Sequence, residues 1–330
     1  MLGGLLALLA ATTFGLNAVA IRRGVLTGSV AQGLAITVPI AVPIFFVAAL
    51  ISQNLPIISG LSTKAFILLG SAGITHFIIG RYANYRGTKA MGTNLVGPVV
   101  ASSLILTLVL AIVFLDEVMT PLRVLGIALI VLGPVVILRS PTATGKSKLK
   151  APSISFTPNL VEGYAFAILC ALAFGTSPIL IRSALLDLGG TNVGNGIVGG
   201  LLAYLAATLL LGLYLARPTN LRHALSIDSN AAKWFILTGL FVCVSQMLRF
   251  MALAVAPVSV VSPIIQTSGI FRTIFSWFIN REHEVFDTWV LLGVAITIIG
   301  AVALTLSTET ILTIIDLPHW LLEILAWHWP

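Results

Sequence analysis

The chain has 330 residues, 58% of them hydrophobic and 9% charged, with a formal net charge of +7 and a mean hydropathy of +1.07. A soluble domain carries roughly 25% charge, so this chain lacks the polar surface to cover a water-soluble globule. That excludes a soluble enzyme or a nucleic-acid binder. It leaves an integral membrane protein whose basic residues, placed between apolar segments, serve as topogenic charge and as contacts for anionic lipid.

In chain order, ten segments are long and apolar enough to cross a bilayer core of about 30 Å as helix: 2–21, 32–51, 65–83, 92–114, 121–139, 162–182, 194–215, 233–252, 258–279 and 287–307. These runs are too continuous for barrel strands. The first ends in "AVA" but no Lys or Arg precedes it, so it reads as a membrane helix and not as a cleaved leader. One long polar stretch, "RSPTATGKSKLKAPSISFTPN" (139–159), divides the helices five and five. The expected organisation is a five-helix unit over 1–139, a polar linker over 140–160, a second unit over 161–307 and a Trp-rich tail over 308–330. In that tail Trp320, Trp327 and Trp329 favour the headgroup zone, while Asp316, Pro318 and Glu323 oppose an eleventh span.

The two units share a pattern. "FGLNAVAIRR" from Phe14 and "FGTSPILIRS" from Phe174 align Gly15 with Gly175, Asn17 with Ser177 and Arg22 with Arg182. "TNLVGPVVASS" (93–103) aligns with "VSVVSPIIQTS" (258–268), placing Pro98 on Pro263. Glu117 falls on Glu282, and Gly126 and Gly133 on Gly293 and Gly300. Ordered, separated matches of this kind indicate an internal repeat. A unit of five helices crosses the membrane an odd number of times, so the second unit must sit upside down relative to the first. Inverted repeats are a transporter device, because two opposed halves can exchange packings around a central site.

This order of features resembles the drug/metabolite transporter superfamily, EamA type: ten helices in two repeats, an aromatic-Gly in helices 1 and 6, "GP" or "SP" in helices 4 and 9, and "E…G…G" running into helices 5 and 10. The resemblance spans about 1–307. Members often carry Trp before the first Gly, where this chain has Phe14 and Phe174. The resemblance implies a permease or exporter of a small metabolite, with a central cavity lined mainly by helices 1, 3, 4, 6, 8 and 9. It implies no cofactor and no catalytic residue. The expected partners are a small-molecule substrate and membrane lipids, in the cytoplasmic membrane, with the chain a monomer or homodimer. Two other classes stand beside it: a membrane enzyme acting on lipid-linked substrates, for which "HALSID" offers His223 and Asp228, and a non-transporting scaffold.

Loops after helices 1, 3, 5, 7 and 9 hold thirteen Lys and Arg, against four (Lys64, Arg123, Arg182, Arg249) in the other loops. The positive-inside rule then sets the linker inside and the termini outside; the family resemblance implies termini inside.

Polar groups at membrane depth are functional candidates by default. Arg272, in helix 9, could hold a carboxylate or phosphate bidentately or could snorkel to the interface. His76, mid-helix 3, could relay a proton or bind substrate, or could pack with its hydrogen bonds satisfied. Gln246, Gln266, Thr267 and Ser102, with Asn17 and Ser177, could ring a cavity or join helices by hydrogen bonds. Pro98 and Pro263, with Gly15 and Gly175, are candidate breaks and gating points. "GRYANYRGTK", with Arg81, Tyr82, Asn84, Tyr85 and Arg86, reads as a basic aromatic mouth or an interface belt. Cys170 and Cys243 lie in apolar runs and read as packing residues, and no metal-ligand cluster is present.

Overall fold

The computed structural model describes residues 1–91, 99–137, 159–188 and 192–279, with Val96 and single positions between 289 and 303. Every described element is helical. In order they are α1 (Leu2–Thr27), α2 (Val30–Thr37), α3 (Ala41–Ile51), α4 (Thr63–Gly73), a π-helical stretch (Ile74–Gly80), α5 (Arg81–Met91), α6 (Ser103–Leu115), α7 (Pro121–Ile137), α8 (Leu160–Asp187), α9 (Val193–Leu215), α10 (Pro218–Leu225), α11 (Ser229–Val255), α12 (Val258–Gln266) and α13 (Ser268–Ile279).

Six spans among the described residues are long and apolar enough to cross a membrane: Leu2–Val25, Val30–Ile51, Thr63–Ala90, Leu160–Asp187, Val193–Leu215 and Ser229–Val255. Shorter apolar helices, Val99–Leu115 and Arg123–Leu132, occupy the expected fourth and fifth positions. The ninth segment is divided into α12 and α13. Most of the tenth, most of the linker and the Trp-rich tail lie outside the described residues, as does Pro98.

Local chemistry sets the helix ends. Ser29 and Gln32 form a capping box at α2. Asn159 accepts from the Glu162 amide at the start of α8. Asp228 accepts from the Asn230 and Ala231 amides at the start of α11. Between α2 and α3, Pro39 lacks an N–H, and the Ala41 amide turns to Val38 O instead of Thr37 O. The Thr37 carbonyl therefore has no partner from its own helix.

Two antiparallel helix pairs form the centre. Along α1 and α11, Gly3 meets Val255 and Ala256 at one end, and Gly24 meets the Phe235 ring at the other. Midway, Ser245 Oγ donates to Thr13 Oγ1 at 2.8 Å. In the second pair, the span from α4 through α5 lies along α8. Lys64 pairs with Asp187 at 3.9 Å at one end, and Arg86 pairs with Glu162 at the other. Each pair joins the first half of the chain to the second.

The connection from α11 to α12 is clamped by charge. Arg182 Nη1 donates to Leu253 O (2.7 Å) and Ala254 O (2.9 Å) near the end of α11. Glu117 accepts from the Val258 and Ser259 amides at 2.6 and 2.8 Å, at the start of α12. Cation at the carbonyl end and anion at the amide end is the favourable match to the helix dipoles.

Candidate functional site

His76 sits in the π-helical stretch Ile74–Gly80. Such stretches recur at functional sites because a widened turn redirects side chains. The stretch follows Gly73, whose α-carbon lies so close to the Ala203 backbone of α9 that a Cβ has no room. It ends at Gly80, packed on the Phe174 ring. Phe174 in turn stacks on the His76 imidazole, with centroids 4.4 Å apart.

Two helices bring three polar partners to that ring. Ser177 on α8 lies 2.7 Å from His76 Nδ1. Gln246 Nε2 on α11 lies 2.9 Å from His76 Nε2. Arg249, one turn beyond Gln246 on the same face, places Nη1 3.2 Å from His76 Nε2 and 3.2 Å from Gln246 Oε1, and Nη2 3.3 Å from Ser177 Oγ. All four residues are buried.

The donors fix one another. Arg249 has only hydrogens to give, so the Gln246 oxygen faces Arg249 and its NH2 faces His76. His76 Nε2 is then the acceptor, and Nδ1 holds the proton donated to Ser177 Oγ. The serine hydroxyl lies 3.5 Å from Phe174 O, a carbonyl that has lost its usual donor to Pro178. The cluster is thus one connected network with a single full charge, that of Arg249. Among the described residues no carboxylate pairs with it.

The sequence expectations divide. His76, Ser177 and Gln246 come together. Gln266 instead donates to Ser103 Oγ at 3.3 Å, joining α12 to α6. Thr267 and Ser102 lie at matched helix breaks: their hydroxyls donate to Ile264 O (2.7 Å) and Val99 O (2.6 Å). Ser102 also borders a recess of about 120 Å3 with Ser103, Leu106, Ile168, Ala171 and Leu172. Asn17 is buried on α1 with Oδ1 lacking a hydrogen-bond partner among the described residues. Gly15 packs on the backbone of Phe271 and Arg272, and Gly175 on Ser103 O and Leu106. Arg272 therefore lies where α13 crosses α1, and the guanidinium bound to His76 is that of Arg249. Pro263 falls inside α12, four residues before the break at Thr267.

Three expectations need correction. Arg249 is no loop cation: α11 runs on to Val255 and buries it. Arg81 and Tyr85 do not form an exposed mouth. Arg81 is 4% exposed and Tyr85 1%, because both face inward from α5, while Arg86 turns out to Glu162. The "HALSID" pair engages separate partners: His223 Nε2 lies 2.9 Å from Ser29 Oγ, and Asp228 caps α11.

A chain whose described elements are all helical, with at least six apolar spans and a polar network closed within them, is a multi-pass membrane protein. Its family model is the EamA-like transporter family, which matches twice, over residues 1–139 and 161–306. The chain belongs to that family, whose members are transporters of the drug/metabolite type. One solved structure, described only as "Crystal structure of protein", is similar in fold: TM-score 0.61 and 17% identity, over 92% of this chain and 95% of that one. A search of curated proteins finds no match.

Proposed function

We propose that the protein is a secondary transporter that carries a small anionic or zwitterionic metabolite across the cytoplasmic membrane by alternating access. It does so as ten spans in two inverted five-span repeats. The observation that supports the substrate class is Arg249: a buried guanidinium whose partners among the described residues are the neutral groups of His76, Gln246 and Ser177. A charge at membrane depth is expensive without a counter-charge, and a carboxylate or phosphate arriving as solute supplies one bidentately.

The repeat is supported by paired geometry. α1 packs on α13 through Gly15, and α8 packs on α6 through Gly175. With Arg81 and Arg249 withdrawn as buried, the basic residues assigned to the two sets of loops stand at twelve against three. This supports an orientation with the linker inside.

The test is counterflow in proteoliposomes with labelled carboxylates, sugar phosphates, nucleosides and cationic drugs. The expected result is exchange of at least one carboxylate or phosphate, lost in Arg249→Gln. Exchange confined to cationic or neutral solutes and undiminished in Arg249→Gln would overturn the reading.

A further inference from the structure

A second guanidinium is buried on the span that carries His76. Arg81 lies five positions beyond His76, at the start of α5. Its Nη1 donates to the Thr37 carbonyl at 2.9 Å, the oxygen released by the α2–α3 break. Its Nη2 donates to the Tyr204 hydroxyl at 3.0 Å. The guanidinium also sits over the faces of Phe77 (5.1 Å) and Tyr204 (5.7 Å). Among the described residues it has no carboxylate partner.

Phe77 touches both cationic groups' surroundings. Its ring is edge-on to His76, with centroids 5.1 Å apart, and stacked on Tyr204 at 3.8 Å and 11°. The stacked pair therefore lies against both the His76 imidazole and the Arg81 guanidinium. On the far side of Arg81 along α5 lie Arg86 and Lys89, toward the end of the span.

We propose that Arg81 and the Tyr204 hydroxyl form a second anion-binding site, distinct from the one at Arg249, with the Phe77–Tyr204 stack in contact with the residues of both. A structural role for Arg81 uses one donor on Thr37 and one on Tyr204. Among the described residues it leaves three of the five guanidinium hydrogens and the whole charge. Accepting from Arg81 leaves Tyr204 its own proton, so one carboxylate or phosphate oxygen can receive from the phenol while another receives from the guanidinium. Such charge-assisted bonds are about twice as strong as neutral ones. Anions would occupy the two positions in turn, with the aromatic pair parting to let them pass. This rests on the anionic reading of the central cluster, and the test separates the two.

The probe is labelled inorganic phosphate in equilibrium dialysis against the full-length protein in detergent. Two phosphates bound per chain are expected, falling to one in Arg81→Gln and to one in Arg249→Gln. The shorter amide in Arg81→Gln still has hydrogens to donate to Thr37, and the melting temperature of that variant reports whether the fold survives. Arg81→Lys, which keeps the charge, should retain both phosphates. Tyr204→Phe should weaken one of them about tenfold. A single phosphate lost only in Arg249→Gln overturns the second site and leaves the central one. A single phosphate lost only in Arg81→Gln overturns the central site. No phosphate bound overturns both.

Discussion

Ser102 and Thr267 break their helices with the same hydrogen bonds. The Ser102 amide and hydroxyl both go to Val99 O, and the Ile105 amide comes back to Ser102 O. The Thr267 amide and hydroxyl both go to Ile264 O, and the Ile270 amide comes back to Thr267 O. Each element is displaced by the same 165 positions. Gln266, next to one break, donates to Ser103, next to the other, so the two breaks meet where the halves cross.

If the breaks are equivalent, Ser102→Ala and Thr267→Val should lower stability by similar amounts, about 1 kcal/mol each. Gln266→Leu, which cuts the link between them, should change transport rate more than melting temperature. Thermal unfolding and counterflow rates on the same preparations check this. Unequal losses would argue against equivalence.

Gln246→Glu places a carboxylate between Arg249 and His76. The new ion pair satisfies the buried guanidinium internally, so the melting temperature should rise. Anionic solutes should lose at least about tenfold in binding, since their counter-charge is now supplied by the protein. A variant that is stabilised and still binds anions at full affinity would show that Arg249 does not meet the solute.

Asn17 offers a different separation. A buried acceptor with no partner costs about 1–3 kcal/mol. Asn17→Leu should therefore leave stability unchanged or raise it by about 1 kcal/mol. If the Asn17 amide meets solute, the same variant should transport more slowly. Stability and rate falling together would mark it as a packing residue.

Gly73→Ala tests the packing that supports the π-helical stretch. Its Cβ would overlap the Ala203 carbonyl, a backbone atom that cannot rotate away. A loss of more than about 4 kcal/mol is expected, at the extreme of single substitutions. By contrast, Arg86→Ala removes a partly exposed ion pair and should cost no more than about 1 kcal/mol. Melting temperatures of the two variants should differ widely.

Helices and their approximate order are legible because a membrane span must be a long apolar helix. His76, Ser177 and Gln246 are legible for the complementary reason that polar groups at that depth stand out. Arg249 is not, because a span ended at residue 252 leaves it three residues from water. Only the continuation through "MALAV" to Pro257 shows that the helix runs on. The same boundary logic turned Arg81 and Tyr85 outward when α5 turns them inward. The π-helical turn leaves no mark in hydropathy, since it changes the angle between side chains and not their composition. Pro263 pointed to a break, but the missing N–H acts at one position and the turn closes at Thr267, where a hydroxyl can replace the lost register.

The crossing of α1 with α11 has a consequence for synthesis. The first helix leaves the ribosome roughly two hundred residues before its main partner exists. Until then Gly3, Gly24 and Thr13 lack the helix they pack against. Assembly of this chain is therefore governed by long sequence separation, which slows folding. A ribosome stalled in the linker would leave a half in which α1 and the α4–α5 span both lack the surfaces they were shaped to meet.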